Sequence, residues 1–181
     1  VETAQADMYY SLAYVTYGDF TRRSYPEGLH GGFAISLKQL NAVAKTLHTT
    51  TTAITELMVA MAEGNFNKKV DVNVEGEYRV AIDHAMQAMQ TMQTMLGDVG
   101  NVMGGVAQGD ISQRVQAEGR GDFGKLKDDI NLSLDALGSL NDISLIANAL
   151  SEGDLTQTIN KDYPGTFGAV IAGMNGTVEN L

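Results

Sequence analysis

Apolar residues recur along this chain at helical spacing, in segments that each end at a glycine and a polar stretch. In three segments they stand ten, seven and three residues before the glycine: Ile54, Leu57, Met61; Val99, Val102, Val106; and Ile143, Ile146, Leu150. Spacings of three and four residues place side chains on one face of a helix. Each segment therefore predicts an amphipathic helix, the N-helix, ended by a left-handed glycine cap. An earlier segment has a weaker stripe, Met8, Leu12 and Val15.

The glycines that follow these stripes mark an internal repeat. They are Gly18, Gly64, Gly109 and Gly153, so the steps between them are 46, 45 and 44 residues. A period of this size indicates stacked repeats. We expect four repeats, over residues 3–50, 51–96, 97–140 and 141–181, the first of them divergent. Each is too small to bury much core alone, so partners are expected.

A polar connector of about a dozen residues follows each marker glycine. It contains an apolar residue two places and six places after the glycine: Phe66 and Val70, Ile111 and Val115, Leu155 and Ile159. The first repeat has Phe20 but only Tyr25 or Pro26 as a second anchor. A solvated loop with scattered apolar residues is the alternative, but repetition of both positions favours anchors that pack between helices.

A second helix, the C-helix, is predicted to start at a second glycine twelve places after the marker, at Gly76, Gly121 and Gly165. Asp122 and Thr166 are good N-cap residues, and Glu77 is a poorer one. An aromatic residue comes next in each case: Tyr78, Phe123 and Phe167, with Phe33 one place later in the first repeat. The apolar stripe then continues, for example through Leu126, Ile130, Leu134 and Leu137, or Val170, Met174, Val178 and Leu181.

The length of the connector predicts the topology. Antiparallel helices need only about 2–5 linking residues, whereas a dozen extended residues can span ~40 Å and start a second helix parallel to the first. A single pair leaves half of its core open, so we expect an all-α fold in which two chains form parallel four-helix bundles. Heptad spacing from Leu47 to Ile54 and from Met92 to Val99 predicts near-continuous helices between repeats. The six-residue spacing from Leu137 to Ile143 predicts a phase slip of about 100°.

These features resemble the HAMP domain, a relay module of chemoreceptors and sensor kinases. The third repeat, G-D-I-S-Q-R-V followed by R-G-D-F-G-K-L-K-D-D-I-N, carries the closest likeness. Asn41, Asn131 and Asn175 stand where the family commonly has Asn, and the second repeat has Met86 there. The acidic D-E-x-G motif is altered in every repeat, and the proline typical of membrane-adjacent members is missing. The resemblance therefore implies tandem repeats remote from the membrane.

The resemblance implies a function in signal relay. A parallel homodimer would pass a change of helix packing from sensor to output, and a downstream domain would control a chemotaxis-type histidine kinase and coupling protein. The relay residues would be the marker glycines, the six connector anchors, the aromatic trio, and Glu77, Asp122 and Thr166. One alternative is a static dimerising spacer. The other is a ligand-sensing bundle at the tyrosine-rich first repeat.

Composition narrows the function classes. The net charge of −10 argues against nucleic acid and anionic membrane surfaces as partners. The chain has no cysteine, and no apolar run reaches the length of a membrane span, so we expect a cytoplasmic segment without direct membrane contact. His30, His48 and His84 form no metal-ligand pattern, and no catalytic constellation is visible. We therefore expect no metal, no cofactor and no enzymatic activity.

Overall fold

A computed structural model describes residues 2–180, which contain six α-helices and no β-strand. The helices are α1 (Glu2–Thr16), α2 (Gly31–Ala62), α3 (Glu77–Ala107), α4 (Asp122–Leu137), α5 (Ser139–Ser151) and α6 (Gly165–Asn180). The all-α class is as predicted. The chain forms two compact bodies, Val1–Met92 and Gln93–Leu181.

Each N-helix ends at its marker glycine. Gly18, Gly64, Gly109 and Gly153 have φ of 85°, 73°, 86° and 82°, the left-handed region that disfavours other residues. At Gly109 the amide donates to Val106 O at 3.0 Å, and the next amide, Asp110 N, donates to Gly105 O at 2.9 Å. This bond pair is the Schellman motif, which satisfies carbonyls at the end of a helix. The predicted left-handed glycine caps are confirmed.

Helices α2 and α3 each combine the C-helix of one repeat with the N-helix of the next, as the heptad spacing predicts. The third join differs, because α4 ends at Leu137 and α5 begins at Ser139, on either side of Gly138. This interruption coincides with the six-residue spacing. Gly138 itself keeps helical dihedral angles (φ −55°, ψ −25°), and its amide donates to Leu134 O at 3.0 Å, so the interruption is confined to one residue. Leu134 and Ile146, on either side of it, are both buried.

The position seven residues before the marker glycine is buried in every repeat. Its occupants are Ser11, Leu57, Val102 and Ile146. The sequence stripe placed Leu12 in the core of the first repeat, and this was wrong: Leu12 is 45% exposed and Ser11 is 3% exposed. Ser11 occupies the same buried position as the apolar residues of the other repeats. Because it is polar, the apolar pattern of the sequence does not mark this position as part of the core.

In each of two C-helices, one predicted residue of the apolar stripe is exposed. In α6 the buried residue is Ile171, while Val170 is 44% exposed. In α4 Leu126 is 39% exposed, whereas Ile130, Leu134 and Leu137 belong to the core cluster or pack against it. Leu181, the last predicted residue of the fourth stripe, lies outside the described residues.

Candidate functional site

The connector of the third repeat runs back along the helix that precedes it. Asp98 Oδ2, eleven residues before the marker glycine, accepts hydrogen bonds from Gln116 N and Ala117 N, both at 2.6 Å. Eleven helical residues correspond to ~16 Å. The connector is thus antiparallel to the N-helix.

The same connector is antiparallel to the C-helix, α4. Its earlier residue Arg114 pairs with Asp135 near the end of α4, with Nη2 to Oδ1 at 2.7 Å. Its later residue Gln116 offers its carbonyl to Lys127 Nζ at 3.1 Å, two turns earlier in α4. Since the connector opposes both helices, the N-helix and C-helix are parallel to each other, as connector length predicted.

An asparagine of the C-helix holds the middle of the connector. Asn131 Oδ1 accepts the Val115 amide at 2.8 Å, and its Nδ2 donates to Val115 O at 3.1 Å. The pair Asn175 and Ile159 repeats both bonds, at 3.0 and 2.9 Å. Asn41 makes them with Ser24, at 2.8 Å each. We call this contact the Asn clamp. The sequence marked these asparagines by resemblance, but it did not show which backbone groups they bind.

A second contact joins the connector to the N-helix, and sequence analysis missed it. Three aspartates stand eleven residues before their marker glycine: Asp7, Asp98 and Asp142. Asp7 Oδ2 accepts Tyr25 N at 2.9 Å, and Asp142 Oδ2 accepts the Tyr163 hydroxyl at 2.6 Å. Asp98 makes the two bonds described above. We call this contact the Asp clamp; its common spacing was the signal available in the sequence.

The second repeat lacks the residues of both clamps. Ala53 occupies the aspartate position and is buried in the apolar cluster of its body, and Met86 occupies the asparagine position and packs against that cluster. Val70, the second anchor of this connector, packs against the same cluster. Apolar contacts therefore replace directional hydrogen bonds here. In its clamp residues the second repeat departs from the other three.

The first repeat instead has a polar layer at its centre. The second anchor position, six residues after the marker, is Ser24, and its Oγ donates to Ser11 Oγ at 2.9 Å. Both serines are buried, at 2% and 3% exposure. The third repeat has Val115 and Val102 in these positions, in one apolar cluster. The first repeat thus has Ser24 in this position rather than Tyr25 or Pro26: Tyr25 is 74% exposed, and the Asn clamp falls on Ser24.

The other predicted anchors differ in burial. Val115 is fully buried, and Phe66, Val70, Ile111 and Ile159 are half-buried. Leu155 is 40% exposed in the single chain. Among the aromatic residues, Phe123 and Phe167 are half-buried and Tyr78 is 40% exposed.

The acidic and hydroxyl residues at the start of the C-helices are helical residues themselves. Glu77 and Asp122 are the first residues of α3 and α4, and Thr166 is the second of α6. The N-cap position of α4 is Gly121, with no side-chain cap bond. Asp122 is therefore not the cap that its sequence position predicted. An acidic residue in the first turn still interacts favourably with the helix dipole.

An aspartate directly after the marker glycine shapes the start of three connectors. Asp110 Oδ1 accepts Ser112 N at 3.0 Å and Ser112 Oγ at 2.6 Å. The Ser112 hydroxyl bond is the largest cause that holds the pKa of Asp110 below its ordinary value, because it favours the charged carboxylate. Asp19 and Asp154 have lowered pKa values through equivalent bonds from Thr21 and Thr156. The second repeat has Asn65 here.

The second and third repeats each keep an apolar face that is only half covered. In the third repeat this face consists of Val99, Val106, Ile130 and Leu137, which pack against the buried cluster on one side and stay partly open on the other. In the second repeat, Ile54 and Met61 likewise pack against the buried cluster and stay partly exposed. A face of this kind is what a bundle made from two chains would cover.

The tyrosines that suggested a ligand site lie at the surface of the first repeat. Tyr9, Tyr14 and Tyr17 are 68%, 41% and 89% exposed. Within residues 2–180, no group of His, Asp and Glu side chains has the arrangement of a metal site. Across the same described range, no helix has both the length and the apolar character that a membrane crossing requires.

Comparisons with known proteins identify part of this architecture. The HAMP domain family matches residues 132–181, which include the end of α4, all of α5, the last connector and α6. The chain is also 40% identical over 82 residues to the methyl-accepting chemotaxis protein McpB of Pseudomonas aeruginosa. This similarity covers 45% of the chain and 12% of that relative. No solved structure matches.

Proposed function

We propose that this chain relays a conformational signal through tandem HAMP units of a chemoreceptor-type protein. The HAMP match and the partial similarity to a methyl-accepting chemotaxis protein support a relay role in this family. In the proposal, a sensor biases the packing of the first repeat, and the bias passes through the following repeats to an output domain. That domain, outside this chain, would act on a chemotaxis-type histidine kinase and its coupling protein.

The Asn clamp is the observation that carries the tandem part of the proposal. It occurs in the segment that matches the HAMP family, at Asn175, and again at Asn131 and Asn41. The Asp clamp recurs in the same three repeats. The same two Asn bonds, formed with a backbone residue 16 or 17 positions earlier, support extending the HAMP assignment to the earlier repeats. The second repeat joins them through its marker glycine, its anchors Phe66 and Val70, and its place in the period.

A parallel homodimer is the assembly that we propose. The half-covered faces of the repeats supply apolar surface for a second copy, and the hydrophobic effect favours covering it. Two parallel helices from each chain would make one four-helix bundle per repeat. Sedimentation of the purified chain should give a dimer, and Ile130→Glu, on this face, should shift it toward monomer. Glu at Leu132, which is 69% exposed, is the matched control.

A relay requires two packings that differ by only a few kcal/mol. Polar clamps hold the connectors of three repeats, whereas the second repeat has apolar contacts and a methionine-rich core that includes Met89. Methionine adapts to altered packing more readily than branched residues do. We propose that the second repeat changes its packing most easily, and that the out-of-phase join at Gly138 sets the third and fourth repeats in different packing phases.

Insertion of one residue after Gly138 tests the relay. The insertion would rotate α5 by about 100° relative to α4 if the helix continues. In a receptor that contains this chain, we expect altered kinase output while the dimer persists in sedimentation. An insertion of seven residues at the same place is the control, since seven helical residues make about two full turns and should keep the phase. Unchanged output with the insertion after Gly138 would contradict the proposal.

A static spacer makes a different prediction. The chain has no cysteine, so single cysteines at Val99, Val106 or Ile130 would provide the only crosslinking sites. A relay should show crosslinking rates along this face that differ between two signalling states of the receptor. Equal rates in both states would favour the spacer.

A further inference from the structure

The connector residue ten places after the marker glycine has a special position. It is Val74 in the second repeat, Gly119 in the third and Tyr163 in the fourth. In the third repeat the connector runs antiparallel to both helices, so its last residues lie beside the start of each helix. We call the residue at this position the bridge residue.

Tyr163 contacts both helices of the fourth repeat. Its hydroxyl donates to Asp142 Oδ2 at 2.6 Å, in the first turn of α5. Its carbonyl oxygen lies against Gly168, in the first turn of α6, so closely that a Cβ on that glycine would overlap it. Asp142 and Gly168 are 26 positions apart in the sequence, yet a single residue connects them.

Gly119 makes the same connection in the third repeat without a side chain of its own. A Cβ at Gly119 would lie 2.8 Å from Met95 Cε and 2.7 Å from Phe123 Cβ. Met95 is a fully buried residue of α3, and Phe123 is the second residue of α4. The carbonyl oxygen of Gly119 also lies 2.9 Å from the place of a Cβ on Gly124. Backbone of the connector therefore fills the narrow space between the two helix starts.

Val74 has an apolar version of this position in the second repeat. It is 8% exposed and belongs to the buried cluster that also contains Ala53 of α2 and Ile82 of α3. The bridge position is thus occupied in three repeats by residues of different chemistry.

The size of the bridge residue varies with that of the helix residue fourteen places before the marker glycine. The pairs of helix residue and bridge residue are Thr50 and Val74, Met95 and Gly119, and Ser139 and Tyr163. The three helix residues are all buried. A large methionine accompanies glycine and a small serine accompanies tyrosine, as close packing of a shared space requires.

These helix residues lie where one repeat gives way to the next. Residues 50, 95 and 139 all fall in the repeat that precedes their connector, by the boundaries that the period defines. The bridge residue is thus at the end of its repeat from which the incoming helix arrives. A displacement of that helix would reach the bridge residue before it reaches the marker glycine.

We propose that the bridge residue is a positioning residue, which transmits a displacement of the incoming helix directly to the start of the C-helix. The inference deepens the relay function and rests on it for its biological meaning. Through this contact both helices of a repeat respond together at the end that faces the preceding repeat. The fourth repeat does so through the hydrogen bond of Tyr163 to Asp142.

Amide hydrogen exchange of the full chain tests this connection in the fourth repeat. Asp142→Ala and Tyr163→Phe each remove the bond, and Phe keeps the ring over which Lys161 Nζ lies at 4.8 Å. Each should accelerate exchange about tenfold or more in the first bonded turn of α6, because bonds to charged groups are the stronger ones. That turn comprises residues 169–172, which Asp142 itself does not have to touch.

The double variant should accelerate exchange there no more than either single one, because both substitutions remove the same bond. Asp142→Asn keeps an acceptor oxygen for the Tyr163 hydroxyl and should stay close to the native rate. Asn141→Ala, at an exposed residue in the same turn of α5, is the matched control and should change nothing. Amides at residues 174–177 of α6 serve as the internal reference.

The third repeat offers an independent test. Met95→Ala withdraws the side chain that reaches Gly119 and should accelerate exchange at residues 126–129, in the first bonded turn of α4. Met103, on the same helix and 41% exposed, gives the control Met103→Ala, which should leave these amides unchanged.

Native exchange rates at residues 169–172 in both Asp142→Ala and Tyr163→Phe would overturn the proposal. Equal acceleration along the whole of α6 would overturn it as well, because a general loss of stability would explain it. Exchange rates do not depend on kinase output, so either result would leave a relay through the helices standing. Conversely, unchanged output after the insertion at Gly138 would contradict the relay but not the measured connection between the helices.

Discussion

Asn131 binds both backbone polar groups of Val115, one with its side-chain oxygen at 2.8 Å and the other with its side-chain nitrogen at 3.1 Å. The amide of asparagine carries an acceptor and a donor at the spacing of a backbone N–H and C=O, so it completes the connector as a neighbouring strand would. Val115 has no exposed surface. Its backbone groups would thus be costly to leave unpaired.

Asn131→Asp should loosen the third connector, because a carboxylate cannot donate to Val115 O and would face it with negative charge. We expect a loss of about 1–3 kcal/mol in the free energy of unfolding. Urea denaturation would measure this loss in the free energy of unfolding. Faster hydrogen exchange at the Val115 amide would show that the loss arises at the clamp. Asn101→Asp, on the exposed face of α3, makes the same charge change without a clamp. Equal losses in both variants would show that charge alone is responsible.

The serine pair of the first repeat can be tested by a double-mutant cycle. Ser11→Val or Ser24→Val alone leaves the other hydroxyl buried without its partner, and each should cost about 1–3 kcal/mol. The double variant reproduces the valine pair of the third repeat and should recover most of that loss, because no unpaired group remains. Thermal unfolding followed by circular dichroism supplies the four stabilities. Additive losses would mean that the 2.9 Å hydroxyl bond couples the two residues weakly.

Helical periodicity and glycine spacing predicted most of the fold. The marker glycines all take positive φ, and two joins are continuous where the heptad spacing is kept. These features are local, so they depend on residues near one another in the sequence. The prediction failed where a polar residue occupies a core position, as at Ser11, or where two adjacent apolar residues compete for it, as at Val170 and Ile171. Apolar patterning does not distinguish such cases.

The clamps were harder to predict because their partners are distant in sequence. Asn131 and Val115 are 16 residues apart, and Asp98 and Gln116 are 18 apart. Nothing in the pattern of either segment indicates that a side chain binds a backbone group of the other. The third connector's Gly119 was overlooked for a related reason: a Cβ there would lie 2.8 Å from Met95 Cε, a contact that exists only in the folded chain.

Ser112→Ala should raise the pKa of Asp110 toward its ordinary value of 3.8, because the Ser112 hydroxyl bond is the largest cause of its lowering. A lowered folded-state pKa contributes stability that is fully present above the unfolded value and lost as pH falls through the folded one. The contribution of Asp110 should therefore be complete above about pH 3.8, the ordinary value, and should be lost progressively as pH falls from there through the lowered folded-state pKa. In Ser112→Ala, Asp110 should contribute less stability at neutral pH, so acidification should remove less stability than in the native chain.

Carbon NMR of the Asp110 carboxyl group would follow the titration directly. Ser133→Ala is the matched control, since the Ser133 hydroxyl is exposed and bonds only to Asp129 O within α4 at 2.8 Å. It should leave the titration of Asp110 unchanged. An Asp110 curve that does not move in Ser112→Ala would contradict the assigned cause.

Two glycines of α6 should respond to alanine in opposite ways. A Cβ on Gly168 would overlap the carbonyl oxygen of Tyr163, a backbone atom that cannot move without displacing the connector. A Cβ on Gly173, five residues later, would meet nothing within 4 Å. We expect Gly168→Ala to destabilise the chain by about 1–3 kcal/mol through overpacking. Gly173→Ala should stabilise it by up to ~1 kcal/mol, because alanine favours the helix.

Urea denaturation of both variants would measure the two changes, and the Tyr163 hydroxyl offers a local probe. Displacement of the connector should lengthen its 2.6 Å bond to Asp142 and expose the Tyr163 ring, which is only 6% exposed in the native chain. Broadening of the assigned Tyr163 ring signals in NMR by a soluble paramagnetic probe should therefore increase in Gly168→Ala and stay constant in Gly173→Ala. If Gly168→Ala instead stabilised the chain as Gly173→Ala should, helix propensity would outweigh the close approach, and the glycine would not be required for connector packing.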